Sequence, residues 1–255
     1  MNLNMNDMSD FKRIIGHEPY YGTPLLPYSQ ENDFIELNKF FYGKTVAIVG
    51  PAPDLIGQNK GSEIDNHDIV CKIGLMSDII DYDNYGSKID VLFSGCFPNL
   101  TDVNSFKNKG ISRVICPIKP CIPGIKDVHN RDIWGHFNYL KSNLKEIKFY
   151  NIGLISCKFD NTYLGRASSG TFALYFLLNM PVKSLSVYGM TWYKNKSKAY
   201  HPHYRNGNSK YLGGHGVSYE IEKNGIVNTI DDANKEGYKK NRFYLNKEVY
   251  NSLYL

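Results

Sequence analysis

One stretch constrains the fold more than any other: Lys44 to Gly74, KTVAIVGPAPDLIGQNKGSEIDNHDIVCKIG. Val46, Ala47, Ile48 and Val49 form an unbroken apolar run. A strand with no polar alternation is one covered on both faces. Gly50 ends the run, and Pro51 and Pro53 prevent its continuation, because proline lacks the N–H a ladder requires. A helical segment to about Glu63 and a second strand within 64–74 follow from the pattern. A buried strand, a tight turn and a helix open a parallel α/β sheet, and the turn after the first strand is where such sheets hold nucleotides. The turn has neither GxGxxG nor GxxxxGK(S/T). A nucleotide held through backbone groups and a plain tight turn both fit this spacing.

The rest of the chain repeats the alternation. Strand patterns occupy 87–95, 111–119, 146–153 and 182–193. A short helix closed by Gly110 precedes the fourth strand, and an aromatic helix from Asp132 to Leu144 precedes the fifth. ASSGTFALYFLLNM (167–180) is a helix apolar nearly all round, hence buried, and Pro181 stops it. Six strands alternating with helices predict an α/β, Rossmann-like, mostly parallel sheet with helices on both faces. Residues 1–40 read as an irregular lead-in with a short helix near Glu31 to Phe41. Residues 41–255 read as a single domain. Within it, 194–219 form a long polar, Gly-rich lid or acceptor loop, and 231–255 a Lys- and Tyr-rich helix.

Composition narrows the function. At 255 residues the chain is long enough for one full α/β domain. A net charge of +5 suits an anionic small substrate and is too weak to indicate nucleic acid. The five cysteines include no CxxC pair. Cys71, Cys96 and Cys116 fall in or beside apolar runs, which predicts reduced core thiols rather than a disulfide framework or a zinc site. The N-terminal residues carry no signal-peptide pattern, and no apolar run approaches a membrane span. A cytoplasmic protein is expected. The basic, Tyr-rich tail allows peripheral contact with an anionic membrane or, more simply, a helix packed on the sheet.

Several groups could carry chemistry. Ser168, Ser169 and Gly170 open the buried helix, where free N–H groups favour a phosphate; an ordinary serine N-cap reads the same way. The loop holds His201, His203 and His215, with Glu220 five residues after His215. Imidazole accepts protons near neutral pH, and a carboxylate is a natural partner to orient it. The spacing does not suit zinc, which wants closer, repeated ligands. Asp81-Tyr82-Asp83 is a DxD that reads as solvated loop charge. His67 and Asp68, just before the second strand, read as structural.

Taken together, these segments resemble glycosyltransferase family 29, the sialyltransferases. VAIVGPAPDLIGQNKGSEIDNHDIVCKIG is similar to the large sialylmotif, through Leu55, Gly57, Gly61-x-Glu63-Ile64-Asp65-x-His67-Asp68-x-Val70. YGSK (85–88) resembles the segment just downstream, and SSGTFALYFLLNMPVKSLSVYGM (168–190) the small sialylmotif. HYRN (203–206) resembles the third motif, and HGVSYE (215–220) the His-x4-Glu very small motif. The four motifs come in the family's order and cover residues 46–220.

The resemblance implies a GT-A-like variant of the Rossmann-like sheet and an inverting, metal-independent transfer from a CMP-sugar to an oligosaccharide or glycolipid acceptor, with no cofactor. It implies His215 as general base, His203 at the donor phosphate and Glu220 as the third member of the catalytic set. It places the donor at Gly50, Pro51, Ala52, Gly74, Ser168, Ser169, Gly170 and Gly189. The chain departs from the family in reading Gly-Pro-Ala-Pro-Asp where Gly-Asn-Ser-Gly-Asn is usual, and Gly74 where an Asn closes the large motif. The cysteine pair bridging the two motifs is missing, with Val46 at the first position. The Golgi anchor is missing too, which suits a bacterial or viral enzyme. The proline-containing turn is similar to that of the bacterial family 42 sialyltransferases. These departures leave three readings: sialic acid transfer, transfer of the related acid Kdo, or non-catalytic nucleotide or glycan binding.

Overall fold

The computed structural model describes residues 29–74, 79–98, 101–117, 132–152, 168–192, 223–228, 230–231 and 243–254. The first described helix, α1 (Ser29–Phe41), leads into β1 (Thr45–Val49). A short 3-10 turn (Pro53–Leu55) and α2 (Gly61–Asp65) connect β1 to β2 (Ile69–Ile73). Then come α3 (Tyr82–Tyr85), β3 (Val91–Phe93), β4 (Arg113–Cys116), α4 (Ile133–Asn143) and β5 (Lys148–Asn151). The last described elements are α5 (Ser169–Leu178), β6 (Ser184–Tyr188), β7 (Phe243–Leu245) and α6 (Lys247–Tyr254).

The strands form one seven-stranded sheet in the order β5-β4-β3-β2-β1-β6-β7. Every pairing is parallel. The α/β, Rossmann-like expectation therefore holds, with parallel strands throughout. From β1 the chain steps one way through β2 to β5, then returns to the other side of β1 for β6 and β7. The strand order reverses between β1 and β6, and their carboxyl ends define the crevice where open α/β sheets bind ligands.

The apolar run of β1 is explained by cover on both faces. Val46 and Ile48 face one core with Cys71 and Ile73 of β2, against Phe34, Leu37 and Phe41 of α1, Phe172 and Phe176 of α5, and Val249 and Leu253 of α6. Ala47 and Val49 face the opposite core with Leu55, Ile64 and Tyr85. On the β3-β4-β5 side, Leu92, Val114 and Phe149 pack against Phe137 and Leu140 of α4. Asp132 starts α4 by accepting a hydrogen bond from Gly135 N at 2.7 Å, the cap expected of an aspartate there.

Two expectations change. The helix anticipated over 31–41 begins at Ser29 and supplies core side chains, so it belongs to the cover of the sheet. The tail is not one helix: 243–245 form β7 beside β6, and Lys247–Tyr254 form α6. The open outer edge of β6 decides this. Its backbone groups give a short segment ladder bonds that outweigh weak helical preference. Asn246 N closes the junction by donating to Val187 O at 3.3 Å.

Candidate functional site

The loop after β1 and the loop after β6 touch through bare backbone. Gly50 N donates to Tyr188 O at 2.9 Å, and Ala52 N donates to Gly189 O at 3.0 Å. A Cβ at Gly50 would stand 2.3 Å from Gly189 O and 2.6 Å from Met190 Cγ. Gly189 adds a left-handed backbone, with φ 59°. Glycine is therefore required at both positions for reasons of space and, at Gly189, of conformation.

The first turn of α5 closes a third side. Ser168 caps the helix: its Oγ accepts from Thr171 N at 3.3 Å and donates to Thr171 Oγ1 at 3.0 Å. Trp192 Nε1 also donates to Thr171 Oγ1, at 3.0 Å, tying the segment after β6 to the same turn. Ser169 and Gly170 keep first-turn N–H groups with no intrahelical acceptor. A Cβ at Gly170 would lie 3.2 Å from Met190 Cε and 3.4 Å from Ile73 Cδ1, so this turn sits between the ends of β6 and β2. Gly74 follows β2 with φ 62° and donates its N–H to Phe93 O at 2.7 Å.

The structure thus brings Gly50, Pro51, Ala52, Gly74, Ser168, Ser169, Gly170 and Gly189 to one end of the sheet, at the reversal of strand order. His203, His215 and Glu220, and the loop 194–219 that carries the first two, lie outside the described residues. The serine-cap reading is seen here: the Ser168 side chain serves the helix.

The polar residues of GSEIDNHD hold the frame rather than the site. Tyr188 Oη donates to Glu63 Oε1 at 2.8 Å, and Lys60 Nζ donates to Glu63 Oε2 at 2.5 Å. Lys60 and Tyr188 keep the Glu63 carboxyl below the usual carboxylate range against the opposing effect of burial. Asp65 accepts from Ser87 N (2.8 Å), Ser87 Oγ (2.9 Å) and Lys88 N (3.0 Å). Burial would raise its carboxyl, but these donors outweigh burial and hold it low. His67 Nε2 lies 2.9 Å from Ser186 Oγ, linking β2's entry to β6. Asp68 accepts from Thr45 N at 2.8 Å, linking it to β1. The structural reading of His67 and Asp68 holds.

Two further residues join this picture. Tyr85, fully buried, donates its hydroxyl to Ala52 O at 2.5 Å. Burial pushes that phenol up, with Asp54 and Asp81 adding to the effect, so it stays a donor. Lys72, 1% exposed, donates to Gly86 O at 2.7 Å. Burial lowers its pKa to about 8, opposed by Asp65. Tyr85 could have been suspected from YGSK, the tetrad it opens; Lys72 sits in an apolar strand and offers no such cue.

Asp81 accepts from Asn84 Nδ2 at 2.8 Å, and Asp83 is exposed. Among the described residues, no group of three or more His, Cys, Asp or Glu could hold a metal ion. Cys71, Cys96 and Cys116 are buried free thiols. No helix among the described residues is long and apolar enough to cross a membrane.

The α/β, Rossmann-like fold is similar to that of solved sialyltransferases. It is similar to a mammalian sialyltransferase, with a TM-score of 0.51 at 14% identity over 96% of this chain and 86% of that one. It is also similar to an alpha-2,3-sialyltransferase from Campylobacter jejuni in its apo form, with a TM-score of 0.50 at 16% identity over 83% and 79% of the two chains. The sialyltransferase Cst-II in complex with CMP gives a TM-score of 0.52 at 17% identity, over 83% and 86%. The sequence matches no protein-family model and no curated protein.

Proposed function

We propose that this protein is an inverting glycosyltransferase that moves a sialic acid, or a related ulosonic acid, from its CMP ester to a glycan hydroxyl. The observation that supports it most is the convergence of Gly50, Gly74, Gly189 and the amino end of α5 at the strand-order reversal of a sialyltransferase fold. In this reading His215 takes the proton from the acceptor hydroxyl, and Glu220 orients that imidazole. The acceptor oxygen forms a bond to the anomeric carbon from the face opposite the leaving group. The bond from that carbon to the phosphate oxygen breaks, and CMP departs with the electron pair.

Departure places charge on a single phosphate. The N–H groups of Ser169 and Gly170, with the helix dipole behind them, and His203 would stabilise that charge. The chemistry therefore calls on no divalent ion, and turnover is expected to survive a chelator. The acceptor is an oligosaccharide or glycolipid, and the basic, Tyr-rich tail could meet an anionic membrane carrying it.

The test is CMP release from CMP-sialic acid and from CMP-Kdo with a panel of oligosaccharide acceptors. Release from the first supports the proposal, and release from the second alone assigns the donor as Kdo. CMP binding with no release from either would make the protein a binding module and refute catalysis.

A further inference from the structure

Between Gly50 and Pro53 the turn after β1 has no backbone N–H left for a ligand. Gly50 N is given to Tyr188 O, and Ala52 N to Gly189 O. Pro51 and Pro53 have none. Over these four residues the donor side of the backbone is consumed or absent. What the turn can still offer a ligand is carbonyl oxygen, that of Gly50 and Pro51, since Pro53 O accepts from Ile56 N at 3.2 Å. Ala52 O is itself claimed by the Tyr85 hydroxyl at 2.5 Å, so Ala52 is held on both sides. The Tyr85 ring is fixed in turn, at 0% exposure, within the core formed by Ala47, Val49, Leu55, Ile64 and Val70.

Phosphate carries acceptors only and repels a rim of carbonyl dipoles. We propose, on the basis of the CMP-sugar reading above, that the Gly50–Pro53 turn contacts hydrogen-bond donors of the nucleoside, the ribose hydroxyls or the ring amino group, and takes no part in holding phosphate. Tyr85 is the positioning residue for that turn. It acts through Ala52 and touches no ligand. The chain has thereby divided the nucleotide between two surfaces of opposite polarity: carbonyls after β1 for the nucleoside, N–H groups at the start of α5 for the charge. The Gly-Pro-Ala-Pro sequence is what removes the donors, since proline occupies two of the four positions.

Calorimetric binding to the full chain tests this with CMP, cytidine, UMP and 2′,3′-dideoxy-CMP. For the native protein, dideoxy-CMP or UMP should bind about tenfold more weakly than CMP, the loss of one good hydrogen bond. Equal affinity for all three nucleotides overturns the nucleoside contact. Tyr85→Phe should weaken CMP and cytidine by the same factor, roughly three- to tenfold, leaving their ratio unchanged. A Leu140→Ala control in the α4 core should lower melting temperature without changing either affinity. Loss confined to CMP would show that the turn holds phosphate, and no loss for either ligand would remove Tyr85's role; both overturn the inference. A native protein that binds neither CMP nor cytidine refutes the donor reading itself. That outcome is distinct from selective failure of the Tyr85 arm.

Discussion

Gly50 and Gly189 meet backbone to backbone across the two strands that flank the reversal of strand order. A Cβ on Gly189 would stand 2.5 Å from Gly50 O, just as one on Gly50 would stand 2.3 Å from Gly189 O. The contact lets the loops after β1 and β6 share a ladder-like pair of hydrogen bonds beyond the end of the sheet. Met190 lies against both Gly50 and Gly170 at the start of α5.

Gly50→Ala and Gly189→Ala should each lose about 3 kcal/mol or more of stability, because main chain must separate to admit the methyl group. Gly189→Ala carries a further penalty of about 1–2 kcal/mol for its left-handed backbone. Gly57→Ala separates the two effects: Gly57 has φ 81° but nothing within 4 Å of an added methyl group, so only the conformational cost applies. Urea unfolding of the three variants should rank them Gly57→Ala mildest and Gly189→Ala most severe. Equal, small losses at all three positions would disprove the close contact.

Lys72 predicts an unusual alkaline gain. Its folded pKa, about 8, lies below the ordinary lysine value of 10.5. Between these values the unfolded chain binds the proton that the folded chain has released, so this group makes stability rise with pH from about 8 toward 10. The penalty below pH 8 is on the order of 3 kcal/mol, since one pKa unit corresponds to about 1.4 kcal/mol. Lys72→Met should remove that slope. Unfolding curves at pH 7, 8, 9 and 10 should show the native protein gaining on the variant as pH rises above about 8. A constant difference across the range would mean that Lys72 has the same pKa folded and unfolded.

The histidine assignments separate chemistry from binding. His215→Ala should reduce turnover at least about a hundredfold while CMP affinity stays near that of the native protein, as loss of a general base does. His203→Ala should weaken CMP binding as well as slow turnover. Steady-state CMP release and calorimetry read the two quantities independently. Turnover close to native in His215→Ala would end its role as base.

Much of the frame is legible because the signals are local. The run from Val46 to Val49 announces a strand buried on both faces, and Ser168 with Gly170 announces the start of a buried helix. Asp132 announces α4 through its capping position. The tail is different over 243–245: its residues carry a helical pattern, yet Phe243 and Leu245 become a strand through a neighbour that no local pattern reveals. The site is legible only as separate pieces. Nothing in the order of residues states that Gly189 will press on Gly50, or that Ile73 and Met190 will flank Gly170.

By itself the sequence determined where strands and helices alternate, because apolar period and backbone restriction by Gly and Pro act over a few residues. It also determined that the turn after β1 would be poor in N–H groups, since proline removes them covalently. The tertiary structure alone decided that the remaining two N–H groups are spent, on Tyr188 and Gly189. It alone set Tyr85 beneath Ala52, Lys72 in a dry strand and seven strands in one parallel order. These depend on contacts between residues far apart in the chain. Their geometry comes from packing cores on both faces of one sheet, which no short stretch of residues encodes.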